Sequence, residues 1–209
     1  MASTIASLIS ASDAELDAAA QQVRRGGVVA YPTDTVYGLG CDPFNSESVD
    51  RLVRAKQRAK AALPILVDSM SSARRLGEFD KTSTILVGRF WPGPLTLILP
   101  VREKFPDAVT DASQFVGLRM PRHRTALELI TKCGGCIIGT SANISGHLSP
   151  RTAQEVLDEL GTSIDLVIDG GPTPLGKEST VVKMIGKQVN ILRAGAISQD
   201  EILIALRIG

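Results

Sequence analysis

Apolar positions recur with two alternating periods along this chain, and each change of period marks an element. Leu16, Ala19, Ala20 and Val23 fall at helical spacing after Ser12-Asp13-Ala14-Glu15, a capping-box sequence, and Gly26-Gly27 closes the segment. An unbroken apolar run from Val28 to Tyr31 then predicts a buried strand. The same reasoning predicts helices from about Glu47 to Lys56, near Ser71 to Leu76, from about Thr82 to Phe90, and at Arg124 to Lys132, Ala153 to Leu160 and Gln199 to Leu206. Trp91-Pro92-Gly93-Pro94 stops the Thr82 helix, and the last two open on the boxes Thr152-Ala153-Gln154-Glu155 and Ser198-Gln199-Asp200-Glu201. Further strands are predicted at Ile65 to Val67, Leu95 to Pro100, Phe115 to Arg119, Cys136 to Gly139, Leu166 to Ile168, Thr180 to Val182 and Val189 to Leu192. The alternation, with short connections and neither linker nor repeat, predicts one α/β domain over residues 1–209. Its sheet is mixed, because several strand pairs lack an intervening helix.

Composition narrows this picture. The 209 residues are 44% hydrophobic and 22% charged, with 19 Gly and 11 Pro, which suits a folded domain with many tight turns and excludes collagen, coiled-coil and low-complexity chains. Lysine and arginine total 23 against 22 acids, so a net charge of +1 supplies no global field for nucleic acid or membrane, and any anion site must be local. No run approaches the roughly 20 apolar residues that span a bilayer. No basic residue precedes Arg24, and Asp13 and Glu15 stand where a signal or transit peptide would be acid-poor, so a cytoplasmic location is expected. The cysteines, Cys41, Cys133 and Cys136, are too few and of odd number for a disulfide framework.

Candidate chemistry concentrates in loops. Residues 51–60 hold five cations and no acid, either a solvated helix face or a polyphosphate or nucleic-acid clamp, and Lys56 and Arg58 sit where the apolar periodicity fails. The segment Gly171 to Glu178 nearly spells a P-loop. It places Glu178 where a magnesium-binding hydroxyl belongs, and Pro172 and Pro174 remove backbone donors. Gly38-Leu39-Gly40 lacks the third glycine of a dinucleotide fingerprint. Ser141 lacks the second glycine of a nucleophile elbow and a histidine base, since His123 and His147 are the only histidines and both lie in polar loops. Cys133-Gly-Gly-Cys136 is half a zinc site without a second half, so no metal site is expected. What is left is a donor-rich set: Thr33-Asp34-Thr35 with Tyr37, the Ser141 to Gly146 loop, Ser149, Ser179-Thr180, Arg119 and Arg193. It suits an anionic, hydroxylated ligand such as a nucleotide.

Seven blocks occur in the order and spacing of one family. They are Pro32-Thr33-Asp34-Thr35-Val36-Tyr37-Gly38-Leu39-Gly40, Lys56-Gln57-Arg58, Phe90-Trp91-Pro92-Gly93-Pro94-Leu95-Thr96, Gly117-Leu118-Arg119-Met120-Pro121, Ser141-Ala142-Asn143-Ile144-Ser145-Gly146, Ser179-Thr180-Val181-Val182 and Arg193-Ala194-Gly195-Ala196-Ile197. From about Gly26 to Ile197 the chain resembles the YrdC-type L-threonylcarbamoyladenylate synthases, in the short form without an extra C-terminal domain. The resemblance implies a twisted open α/β sheet with a large positively charged groove. It implies synthesis of threonylcarbamoyl-AMP from L-threonine, bicarbonate and ATP, with magnesium accompanying ATP, pyrophosphate released and a downstream threonylcarbamoyl transferase machinery acting on tRNA. It also implies that Thr35, Tyr37, Arg119 and Ser179 hold threonine, that Lys56, Arg58, Ser141, Asn143, Ser149 and Arg193 hold ATP, and that Lys56 and Arg58 stabilise the leaving pyrophosphate. The family's Lys-x-Arg-Pro segment is followed by another lysine; here Arg58-Ala59-Lys60-Ala61-Ala62-Leu63-Pro64 is one residue short, which makes Lys60 the candidate for that position. An RNA-binding module using the same basic groove is the alternative, although no aromatic is interleaved with the 51–60 cations to stack bases.

Overall fold

The computed structural model describes residues 5–57, 62–110, 112–185 and 188–208. The elements run β1 (Ser7–Ser10), α1 (Asp13–Arg24), β2 (Val29–Tyr31), β3 (Gly38–Gly40), α2 (Ser46–Ala55), β4 (Ile65–Val67), α3 (Met70–Leu76), α4 (Lys81–Phe90), β5 (Leu95–Pro100) and α5 (Asp107–Thr110). There follow β6 (Phe115–Arg119), α6 (Arg124–Lys132), β7 (Cys136–Ile138), β8 (Thr140–Ser141), α7 (Ala153–Leu160), β9 (Leu166–Asp169), β10 (Thr180–Ile185), β11 (Gln188–Arg193) and α8 (Gln199–Ile208). The expected mixed α/β fold is observed, with the strands divided between two ladders, β1-β9-β2-β3-β8 and β11-β10-β5-β6-β4-β7. Each ladder mixes parallel pairs (β1 with β9, β5 with β10, β4 with β6) and antiparallel ones (β2 with β3, β5 with β6, β10 with β11). The sheets adjoin where the Ile138 amide donates to the Cys41 carbonyl at 3.0 Å.

Alternate residues of both ladders fill the same two apolar clusters. Helices α1 and α6 lay Leu16, Ala19, Ala20, Val23, Ala126, Leu129 and Ile130 over Val29, Tyr31, Leu66, Ile137, Leu166 and Ile168. The intervening strand positions Ala30, Ile65, Val67, Ile138 and Val167 face the other way into the larger cluster, as the two-residue strand period requires.

Three strands and one short helix escape the sequence pattern. Strand β1 reads Ser-Leu-Ile-Ser at a sheet edge and owes its conformation to its parallel pairing with β9. Strand β3 reads Gly-Leu-Gly, poor strand formers, because the packing leaves no room: a Cβ on Gly40 would sit 2.5 Å from the Ile138 carbonyl oxygen. The capping boxes at Thr152 and Ser198 form reciprocally. At Ser12 only half forms: the Ser12 hydroxyl accepts from the Glu15 amide, but the Glu15 carboxylate accepts from the Ser10 and Ser12 hydroxyls, and Ser10 Oγ takes the Ser12 N–H at 3.4 Å.

The register places the site. Antiparallel pairing of β5 with β6, parallel pairing of β5 with β10 and antiparallel pairing of β10 with β11 bring Thr96, Arg119, Thr180 and Arg193 together at one end of their strands, along the same edge of the layer. The β2–β3 connection and β8 of the other sheet face that edge.

Candidate functional site

The edge opens into a cavity of about 480 Å³ whose lining includes Thr35, Tyr37, Arg119, Ser141, Ser179 and Arg193, six residues expected from the sequence, together with Thr33, Thr96, Thr140 and Glu178. Its floor is apolar: Pro64, Leu66, Ile98 and Val181 come up between the polar groups. Gly139 lets the chain pass over that floor, since a Cβ there would stand 2.2 Å from Leu66 Cγ.

Arg119 ends β6 almost fully buried, at 5% exposure. Its Nε donates to the Gly93 carbonyl at 3.0 Å, its Nη1 to Thr35 Oγ1 at 3.0 Å, and its Nη2 to Asp34 Oδ1. The Trp91 to Pro94 turn thus has a purpose beyond ending α4, because it presents the Gly93 carbonyl to Arg119, while the Gly93 amide donates to the Met120 carbonyl at 2.8 Å. Burial pushes the Arg119 pKa below its ordinary value, against the upward pull of Asp34. Asp34 Oδ1 also accepts from the Arg122 amide at 3.1 Å, while Oδ2 is buried without a partner. Thr33 Oγ1 accepts from the Thr35 amide at 3.1 Å and donates to the Val36 carbonyl at 2.6 Å, which fixes the turn that aims Thr35 into the cavity.

Tyr37 is fully buried, its hydroxyl donating to the Gly171 carbonyl at 2.9 Å and accepting from the Gly170 amide at 3.4 Å. Burial pushes its phenol up to about 12, so at neutral pH it is an uncharged wall and not a proton carrier. Across the cavity Ser179 Oγ pairs with Thr96 Oγ1 at 2.9 Å, and Arg193 lies flat on Ser179, with Nη2 donating to its carbonyl at 2.9 Å and to its hydroxyl at 3.0 Å. The remaining corner of that guanidinium, Nη1, meets Glu178 Oε2 at 2.6 Å.

Other expected ligands stand differently. Lys56 does not line the cavity: it is 2% exposed, and its ammonium donates to the carbonyl of Ser141 and, at 2.7 Å, to that of Asn143. It therefore positions the 141–146 loop from beneath. Asn143 is buried, its amide donating to the Ile144 and His147 carbonyls at 2.9 and 2.8 Å, with Oδ1 unpartnered. The Ser149 hydroxyl donates to Glu178 Oε1 at 2.6 Å. Arg58 and Lys60 lie outside the described residues. The run of cations is thus not one surface, for Arg51 ties the 26–27 turn to the residue before β9, donating to the Gly26 carbonyl at 2.9 Å and to both Asp165 oxygens. Of the thiols, Cys136 is buried and Cys133 half-buried, pushed up to about 11 and about 12 by burial.

The sequence assigns no role to Asp34 or Glu178. Asp34 stands only as a member of the Thr33-Asp34-Thr35 loop, because its partner Arg119 is 85 residues away. Glu178 counted only as the residue that spoils a P-loop. Among the described residues no group of three or more His, Cys, Asp or Glu is placed to hold a metal ion, and Glu178 is the one carboxylate in the described cavity lining. Hydroxyls and arginines donate hydrogen bonds to anionic oxygens such as those of a carboxylate or phosphate, and they are not the oxygen cage that a hard divalent cation takes. No helix among the described residues is long and apolar enough to cross a membrane.

Comparison with known proteins gives consistent matches. The family model Sua5_yciO_yrdC, described as "Telomere recombination", matches residues 21–195. A threonylcarbamoyl-AMP synthase of Pyrococcus abyssi is 41% identical over 186 residues, covering 88% of this chain and 55% of that protein. One from Bacillus subtilis is 40% identical over 200 residues, covering 93% and 57%. The crystal structure of P. abyssi Sua5 complexed with L-threonine superposes with a TM-score of 0.92 at 37% identity, over 95% of this chain and 60% of that one. The chain thus spans little more than half the length of these relatives.

Proposed function

The chain belongs to the Sua5/YciO/YrdC family, and from that premise we propose that it makes threonylcarbamoyl-AMP from L-threonine, bicarbonate or CO₂, and ATP, releasing pyrophosphate. The observation that carries this reading is the convergence of Thr35, Tyr37, Arg119, Ser141, Ser179 and Arg193 on one cavity. The chemistry asks for alignment rather than a protein nucleophile. Threonine's amine adds to CO₂, forming a C–N bond and losing a proton. A carbamate oxygen then attacks the α-phosphorus in line, and the α–β bridging oxygen leaves with pyrophosphate. Threonine would lie against Thr35, Tyr37, Arg119 and Ser179, its carboxylate drawn to the buried guanidinium.

Arg193 and Ser141 would face the nucleotide, with Asn143 and Ser149 framing the loop above Lys56. Arg58 and Lys60 would add the charge of the positive groove and neutralise the leaving group. Magnesium would enter with ATP and share the neutralisation of its phosphates. The product would pass to a threonylcarbamoyl transferase acting on tRNA, and the reaction would be cytoplasmic. Nothing observed favours an RNA-binding module over this reading.

A product assay with ATP, threonine and bicarbonate, each omitted in turn, tests it. Pyrophosphate release should require all three, and ATP cleavage at full rate without threonine would refute the synthase reading.

A further inference from the structure

Glu178 is the one cavity residue in the described lining that carries the wrong charge for a phosphate ligand. Its carboxylate ties the cavity wall at Arg193 to a loop beside it, outside the described lining. Oε2 takes Nη1 of Arg193 at 2.6 Å from the end of β11, and Oε1 accepts from the Ser149 hydroxyl at 2.6 Å from the loop before α7. The other Arg193 donors, Nε and Nη2, are committed to Ser179. Nη1 is therefore the corner of that guanidinium that can turn to an incoming anion, and Glu178 holds it. Its side chain is 32% exposed and that of Arg193 45%, so the pair stands at the water boundary, where exchanging one anion for another carries a modest desolvation cost. Carboxylate and phosphate oxygens accept the same charge-assisted hydrogen bonds at the same lengths. The Glu178 main chain is meanwhile anchored, its carbonyl accepting from the Ala196 amide at 2.9 Å, so the side chain can swing without moving β10.

We propose that Glu178 is an internal competitor for the phosphate subsite. Its carboxylate and a phosphate or pyrophosphate oxygen take the same two donors, Arg193 Nη1 and Ser149 Oγ, in alternation. The inference rests on the nucleotide-binding reading of the cavity and deepens it, because it assigns to Glu178 the setting of phosphate affinity. Holding that affinity down favours release of pyrophosphate after the reaction. Glu178 is a positioning residue in this account, since it acts through Arg193 and Ser149 and not on the reacting atoms.

The test is calorimetry of inorganic pyrophosphate, α,β-methylene-ATP and adenosine on the parent and on Glu178→Gln. Removing the competing charge should tighten pyrophosphate and the ATP analogue by about threefold to tenfold, the scale of a partly exposed ion pair together with relief of like-charge repulsion. Adenosine, which brings no phosphate, should bind both proteins equally. If the parent binds the ATP analogue and Glu178→Gln binds the analogue and pyrophosphate no more tightly, the competitor role is overturned while the nucleotide reading stands. If neither protein binds the analogue or pyrophosphate, the nucleotide reading itself falls, and this inference with it. An equal gain for adenosine would mark a general change of shape and also overturn the role. Should Glu178→Gln not fold, a crystal structure of the parent with pyrophosphate decides. Arg193 Nη1 transferred from Glu178 to a phosphate oxygen supports the proposal, and pyrophosphate bound with the pair intact refutes it.

Discussion

Replacing Arg119 by methionine isolates the interaction on which the threonine side of the cavity is built. The pair it forms with Asp34 is desolvated on both sides, with side-chain exposures of 7% and 6%. The methionine would fill most of the volume but leave the Asp34 carboxylate held by the Arg122 amide at 3.1 Å, with Oδ2 still unpartnered. Thr35 and the Gly93 carbonyl would each lose a donor as well. Breaking one side of a buried pair costs about 3–5 kcal/mol, because the surviving charge stays buried, whereas neutralising both sides is often nearly free. Arg119→Met should therefore lower unfolding stability by about 3–5 kcal/mol, and Arg119→Met with Asp34→Asn should recover at least about 2 kcal/mol of it. Urea denaturation of the four proteins of that cycle measures the coupling, and threonine calorimetry should show binding lost in both Arg119 variants whatever their stability. A coupling energy below about 0.5 kcal/mol, the scatter expected of independent sites, would refute the account of the pair as a buried, mutually dependent unit.

Lys56→Met should cost about 1.5–3 kcal/mol, the scale of hydrogen bonds to a charged group, and weaken nucleotide binding along with stability, because the lysine holds the carbonyls of Ser141 and Asn143. Denaturation and calorimetry on one preparation check it, and lost affinity at full stability would make Lys56 a direct ligand instead. Burial lowers the His123 pKa from its ordinary 6.5, and its Nδ1 is buried without a partner, so below that pH the unfolded chain takes up a proton that the folded ring resists. Stability should accordingly fall as pH drops through 6.5 and be fully present above it. His123→Asn should flatten that slope in thermal melts between about pH 7.5 and about pH 5.5. Because burial raises the Cys133 and Cys136 thiols to about 12 and about 11, iodoacetamide should alkylate them on the order of 100-fold more slowly in the folded protein than in urea. Peptide mass spectrometry follows the rates, and equal rates would show that the thiols are not held as described.

The elements that owe their conformation to local pattern were legible in the sequence. Strand Leu95–Pro100 and helices Arg124–Lys132 and Ala153–Leu160 have the expected bounds, because apolar periodicity, a proline stop and a capping box act within a few residues of the positions they govern. The ordered blocks likewise contain Thr35, Tyr37, Arg119, Ser179 and Arg193, which line the cavity. The division of the strands into two ladders and the Gly-Leu-Gly strand were decided by the tertiary structure, since a strand with no pattern of its own exists only when its neighbours pair with it. So was the direction of each charged side chain. Lys56 and Arg51 read as members of one cationic run, yet one ends beneath the Ser141 loop and the other on Asp165. Asp34 and Glu178 acquired their roles from partners, Arg119 in one case and Arg193 with Ser149 in the other, that strand register and loop packing carry to them. A sequence states which side chains can ionise or donate a hydrogen bond, but burial and pairing depend on approaches between distant segments, and these exist only once the sheets have closed over their cores.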